Sequence, residues 1–204
     1  SAMRRDDRTD LQRGMVDLQE VMDCLAQKKG AARFILIGLC SGVDPVHGVS
    51  RGDPRVVGAV HIDGYTYPTS EFRLRHLTLR KLQTARWRRY ARRLYTTKIT
   101  KDIRVETGDA PEIFDRDYPP REQFRDDVNK MTSAGTRLLL VYTGTVDSAY
   151  NYERQAYDML APLTHRDNIE VALHERADHL YTSLTERRRL FVLLEGWMIR
   201  HFTL

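Results

Sequence analysis

At 204 residues, 41% of them apolar and 30% charged, the chain can bury one substantial core and is too short for two full domains. It has no run of eighteen apolar residues and shows no basic-then-apolar leader, so neither a membrane-spanning helix nor a secretory signal is visible and a soluble, cytoplasmic protein is the expectation. Two cysteines, Cys24 and Cys40, are too few for a disulfide scaffold, and the net charge of +5 sits in one segment: Phe72 to Val105 holds twelve cations and the single acid Asp102, the remainder 21 cations and 27 acids.

Ser1-Ala2-Met3 reads as a tag remnant and a start methionine, so the domain is taken as 4–204. Residues 9–29 begin at the caps Thr9 and Asp10, carry Leu11, Met15, Leu18, Met22 and Leu25 at spacings of three and four, and stop at Gly30. This is an amphipathic helix, with Cys24 beside its stripe as a structural thiol. The unalternating run 33–39 predicts a strand buried on both faces, 41–51 a helix with Pro45 in its first turn, and 56–63 a second buried strand.

The basic segment then interrupts the alternation, with two short helices expected across 65–104 and a loop across 105–120. From Pro120 a helix at 121–134, a strand at 136–144, a helix at 150–162, a strand at 169–175 and a closing helix at 183–202 follow. The pattern predicts a three-layer α/β fold with a mainly parallel sheet.

In open α/β sheets, ligands gather at the carboxyl ends of the strands. After the first strand comes Gly38-Leu39-Cys40-Ser41-Gly42, where two glycines permit a sharp turn and the following helix N-terminus favours a thiolate at Cys40. The Ser41 N–H would follow that nucleophile as an oxyanion donor. After the third strand comes Asp147, after the fourth His179, in the order nucleophile, acid, base. Each has a plainer reading: Cys40 filling a tight turn, Asp147 capping a helix, His179 a loop surface residue. Asp63 and Glu153 are the alternative acids, Asp63 because it too follows a strand.

The stretches "ILIGLCSG", "DPRVVGAVHIDGYTYPT", "LLLVYTGTVDSAYNYERQ" and "ADHLYT" resemble the nucleophile elbow, next strand, acid-bearing strand and histidine loop of uncharacterised bacterial members of the α/β-hydrolase superfamily. The resemblance covers roughly residues 15–200 and implies Cys40, Asp147 and His179 as a triad, with Gly38, Ser41 and Gly42 forming the elbow. It begins only at the helix before the family's fifth strand, so the chain resembles the C-terminal half of that fold. The loop that supplies a second oxyanion donor has no counterpart. The strand at 33–39 would then have a bare edge, and a homodimer or a separate partner chain covering it is expected.

The basic segment, with Arg88, Arg89, Arg92 and Arg93 as anion-binding candidates, lies where such hydrolases carry a cap, and 65–120 is taken as a cap-like helical insertion. Its plain reading is a solvated face; nothing matches a nucleic-acid module. The function expected is hydrolysis of a small acyl substrate, possible anionic groups included, in an ester, thioester or lactone, with no metal and no cofactor. The alternative is a truncated, non-catalytic hydrolase-like binding or assembly module whose basic insertion contacts an anionic partner.

Overall fold

The computed structural model describes residues 8–82 and 118–202. Helix α1 (Asp10–Lys29) starts in a capping box: the Thr9 hydroxyl accepts from the Gln12 N–H while the Gln12 side chain accepts from the Thr9 N–H. It is followed by β1 (Phe34–Leu39), a 3₁₀ turn at Cys40–Gly42, α2 (Val43–Ser50), β2 (Val56–Ile62) and α3 (Ser70–Leu82). After the segment 83–117 come α4 (Arg121–Ser133), β3 (Arg137–Thr143), α5 (Gln155–Leu160), β4 (Ile169–His174) and α6 (Leu184–His201). Most of the expected insertion, including Arg88, Arg89, Arg92 and Arg93, lies outside the described residues.

The four strands form one parallel sheet in the order β1-β2-β3-β4. Alternation along each strand sorts side chains to two faces. Leu138, Leu140 and Tyr142 join Phe34, Leu36 and Ala59 beneath α1, α2, α4 and α5, where Met22, Val46, Phe124 and Met159 complete the larger core. Leu139 and Val141 join Val60 and Ile62 on the opposite face, covered by Leu190, Leu194 and Trp197 of α6. Helices on both faces of a parallel sheet make the three-layer α/β arrangement. No helix among the described residues is long and apolar enough to cross a membrane.

Several expectations are corrected by the fold. The helix expected at 150–162 is confined to Gln155–Leu160, because the buried Gln155 side chain accepts from the Asn151 N–H at Oε1 and donates from Nε2 to the Ala149 carbonyl, and the Tyr150 ring stacks on Tyr142 at 3.7 Å. Those contacts satisfy the preceding backbone locally and remove the need for a helical ladder. In α1 only the middle of the apolar stripe packs: Met22 is buried while Leu11 and Leu25 are exposed. Cys24 is exposed as well.

Among the described residues strand β1 is a sheet edge, pairing only with β2. It was expected to be buried on both faces, but its residues alternate, with Phe34 and Leu36 buried while Ile37 and Leu39 are 48% and 38% exposed. The helical layer on that side, α6, packs over β2 and β3 and leaves this end of β1 open.

Candidate active site

Register brings the strand ends level. Leu39 pairs with Ile62, and Ile62 with Val141, so Cys40 and Asp63 each stand one residue beyond a matched pair on neighbouring strands, which lie about 4.8 Å apart. Both leave the sheet through the left-handed region, Cys40 at φ 55° and Asp63 at φ 48°. A side-chain-bearing residue pays roughly 1–2 kcal/mol for that conformation. Two such kinks side by side turn both chains away from the sheet at one rim.

The Cys40 turn depends on its flanking glycine. A Cβ on Gly38 would meet the Gly42 carbonyl oxygen at 2.6 Å and the Val43 Cα at 2.7 Å, so only glycine lets the strand end lie this close to the helix that returns beneath it. The Cys40 side chain is half-buried and Ser41 is exposed. The thiol makes no hydrogen bond with any described residue.

Asp63 is the carboxylate that meets the imidazole. Its side chain is 1% exposed and bonded on all sides: Oδ1 accepts from the Thr143 N–H at 2.7 Å, Oδ2 from the Thr143 hydroxyl at 2.7 Å, and Oδ2 pairs with His179 Nδ1 at 2.8 Å. An ionised carboxylate only accepts, so in that pairing Nδ1 donates, and an imidazole of that tautomer keeps its lone pair on Nε2. A buried carboxylate is tolerable because three donors replace the water it has lost.

The loop that carries His179 is fastened to the end of β3. The His179 N–H donates to the Thr145 hydroxyl at 2.9 Å and the Gly144 N–H to the Ala177 carbonyl at 3.1 Å. A Cβ on Gly144 would fall 2.2 Å from the Glu175 carbonyl oxygen. The neighbouring Asp178 is spent on its own turn, accepting from the Thr182 hydroxyl and from the Leu180 and Thr182 N–H groups, and those bonds hold its carboxyl below the ordinary range.

The expected pairing of His179 with Asp147 is therefore not the one the structure has. Asp147 closes the 3₁₀ turn Gly144–Val146 and is exposed, with no hydrogen bond or ion pair to any described residue. Glu153, the other alternative, is exposed and among the described residues contributes only its main-chain carbonyl, to the Tyr150 hydroxyl. Sequence reading missed Thr143 and Thr145, whose hydroxyls hold Asp63 and the His179 backbone; a Thr-Gly-Thr at the end of a strand was their only signal.

Away from this rim, His47 and His61 are buried. His47 Nε2 meets Asp127 Oδ2 at 3.2 Å, and Arg51 bonds the same carboxylate. Burial alone would raise the Asp127 pKa, but the His47 hydrogen bond and the Arg51 guanidinium hold it below the ordinary range. Among the described residues no cluster of three or more His, Cys, Asp or Glu is placed to hold a metal ion.

No protein-family model matches the chain, and no curated protein matches it. Among solved structures it is similar to a carboxylesterase of the ammonia-oxidizing thaumarchaeon Nitrososphaera gargenis, with a TM-score of 0.50 and 14% sequence identity over 97% of this chain and 74% of that one. At this identity the likeness concerns the fold, and the four-stranded parallel sheet with its flanking helices is α/β-hydrolase-like.

Proposed function

We propose that this protein hydrolyses an ester, thioester or lactone, with Cys40 as nucleophile, His179 as base and then acid, and Asp63 as the residue that positions the imidazole. The observation that carries this reading is the 2.8 Å contact between His179 Nδ1 and the buried Asp63, beside a strained cysteine on the adjoining strand end. A histidine held in that tautomer has Nε2 free to take a proton.

In this mechanism Nε2 removes the thiol proton and the sulfur attacks the acyl carbon. The Ser41 N–H, at the start of the turn, donates to the oxygen that becomes negative. Collapse breaks the bond to the leaving group, which takes the proton from Nε2. Water then gives a proton to Nε2 and attacks the acyl-thioester, releasing the acid and restoring the thiol. With one identified oxyanion donor, the reaction suits activated acyl groups, because losing a donor costs about 10²–10³ in rate.

The absence of a hydrogen bond on Cys40 among the described residues favours a second reading, a non-catalytic binding or assembly module. Catalytic hydrogen bonds in ligand-free sites are commonly loose and tighten with substrate, so a thiol without a bond to His179 is still consistent with turnover. The test is a panel of p-nitrophenyl esters and acyl thioesters assayed with the wild-type chain and Cys40→Ala. Hydrolysis that disappears in the variant supports the enzyme; equal rates on every substrate overturn it. Assembly belongs to the same proposal: the open β1 edge, with Ile37 and Leu39 exposed, supports cover by a second copy or a partner chain.

A further inference from the structure

Helix α6 is apolar on two opposite sides. Leu190, Leu194 and Trp197 face the sheet and are buried, yet Leu184, Phe191, Val192 and Ile199 are 78%, 61%, 64% and 64% exposed. At about 100° per residue these four, with Arg188 and Glu195, make one stripe centred about 150° around the helix from the buried one. A surface helix needs a single apolar stripe to hold it to its core. A second row of large apolar side chains is a face shaped to be covered.

The stripe is also self-complementary. About the midpoint between Phe191 and Val192, Arg188 mirrors Glu195 and Leu184 mirrors Ile199. A two-fold axis through that midpoint would lay an identical helix antiparallel across this one, setting Phe191 on Val192, Leu184 on Ile199 and Arg188 on Glu195, each contact made twice. Arg188 and Glu195 are exposed, and neither forms an ion pair or hydrogen bond with any described residue. Seven residues separate them, about 10 Å along the axis, so each is available to the opposite charge of another chain.

We propose that a second copy of this chain docks on the outer face of α6 through an antiparallel, two-fold α6–α6 contact. An isologous interface of this kind pairs the same patch on both subunits and closes at two. The apolar pairs supply the burial and the two Arg188–Glu195 contacts set the register and orientation. This site is distinct from the β1 edge, which is then left to a separate partner chain, and it does not depend on the hydrolase reading.

The test is light scattering behind size exclusion and sedimentation equilibrium at micromolar chain, with circular dichroism to verify folding. The wild-type chain is expected to be a dimer. Phe191→Glu should weaken it about a hundredfold or more, and Arg188→Glu about tenfold or more, since each of two attractions becomes a repulsion. The double exchange Arg188→Glu with Glu195→Arg should restore the wild-type dimer. Because all three positions are exposed, the monomer should fold in every variant. A monomeric wild-type chain overturns the proposal, as does a dimer indifferent to Phe191→Glu or an exchange that fails to restore it. A dimer lost only on Ile37→Lys would move the interface to the β1 edge and likewise overturn it.

Discussion

Replacing Asp63 by asparagine keeps the shape of a side chain that is 1% exposed and removes its charge. In the wild-type chain Oδ1 takes the Thr143 N–H, while Oδ2 takes the Thr143 hydroxyl and His179 Nδ1. If the asparagine oxygen keeps the Thr143 N–H, its amide nitrogen stands at the Oδ2 position and presents hydrogens to Nδ1. The imidazole must then accept at Nδ1 and carry its proton on Nε2, where it can no longer take one from Cys40. The same change in a serine-protease triad lowers kcat about 10⁴-fold, about 5 kcal/mol at 1.36 kcal/mol per tenfold. Stability should change less, because the lost charge-assisted bonds are offset by no longer burying a charge. The rates of p-nitrophenyl acetate and acetyl-thioester hydrolysis should fall by that order. Alkylation of Cys40 by iodoacetamide at neutral pH, measured against the exposed Cys24 of the same chain, should slow with them. Asp147→Asn, at an exposed position with no described partner, should stay within about twofold of wild type. Wild-type kcat in Asp63→Asn, or an equal loss in Asp147→Asn, would refute the assignment.

Two further outcomes follow from the packing. Gly144→Ala places a Cβ 2.2 Å from the Glu175 carbonyl oxygen, whereas the nearest atom at Gly52 is 4.0 Å away; urea unfolding should show a loss of about 2–3 kcal/mol for Gly144→Ala and a change within about 0.5 kcal/mol for Gly52→Ala. His174, bonded to the Tyr181 hydroxyl at 3.1 Å, has its pKa lowered from the ordinary 6.5 by burial and by Arg189. Its depressed folded pKa means the unfolded chain binds the proton first, so the stability it contributes is complete above pH 6.5 and is lost as pH falls through the folded value. Thermal unfolding should therefore weaken more steeply from pH 7.5 to 5 in the wild type than in His174→Gln, and equal slopes would remove His174 from the account.

The sequence by itself carried the architecture. Four short apolar runs bounded by turn residues have the signature of buried parallel strands, and the caps and stripes between them that of helices, so the α/β order could be read before any contact was known. Gly38 before Cys40 was equally legible, since a tight return from strand to helix needs it, whereas a Cβ on Gly42 would meet nothing; His179 was legible as a histidine beyond a strand end. Which carboxylate reaches that imidazole was decided only in three dimensions. Asp63 and Asp147 both follow strands, and periodicity says nothing about where a side chain beyond a strand end points. Register sets Asp63 beside Cys40 and under the Thr143 N–H, whereas the 3₁₀ turn after β3 carries Asp147 out into solvent. The outer face of α6 was hidden for a related reason: a helix rich in apolar residues looks simply buried in one dimension, and only packing separates the side that meets the sheet from the side that does not.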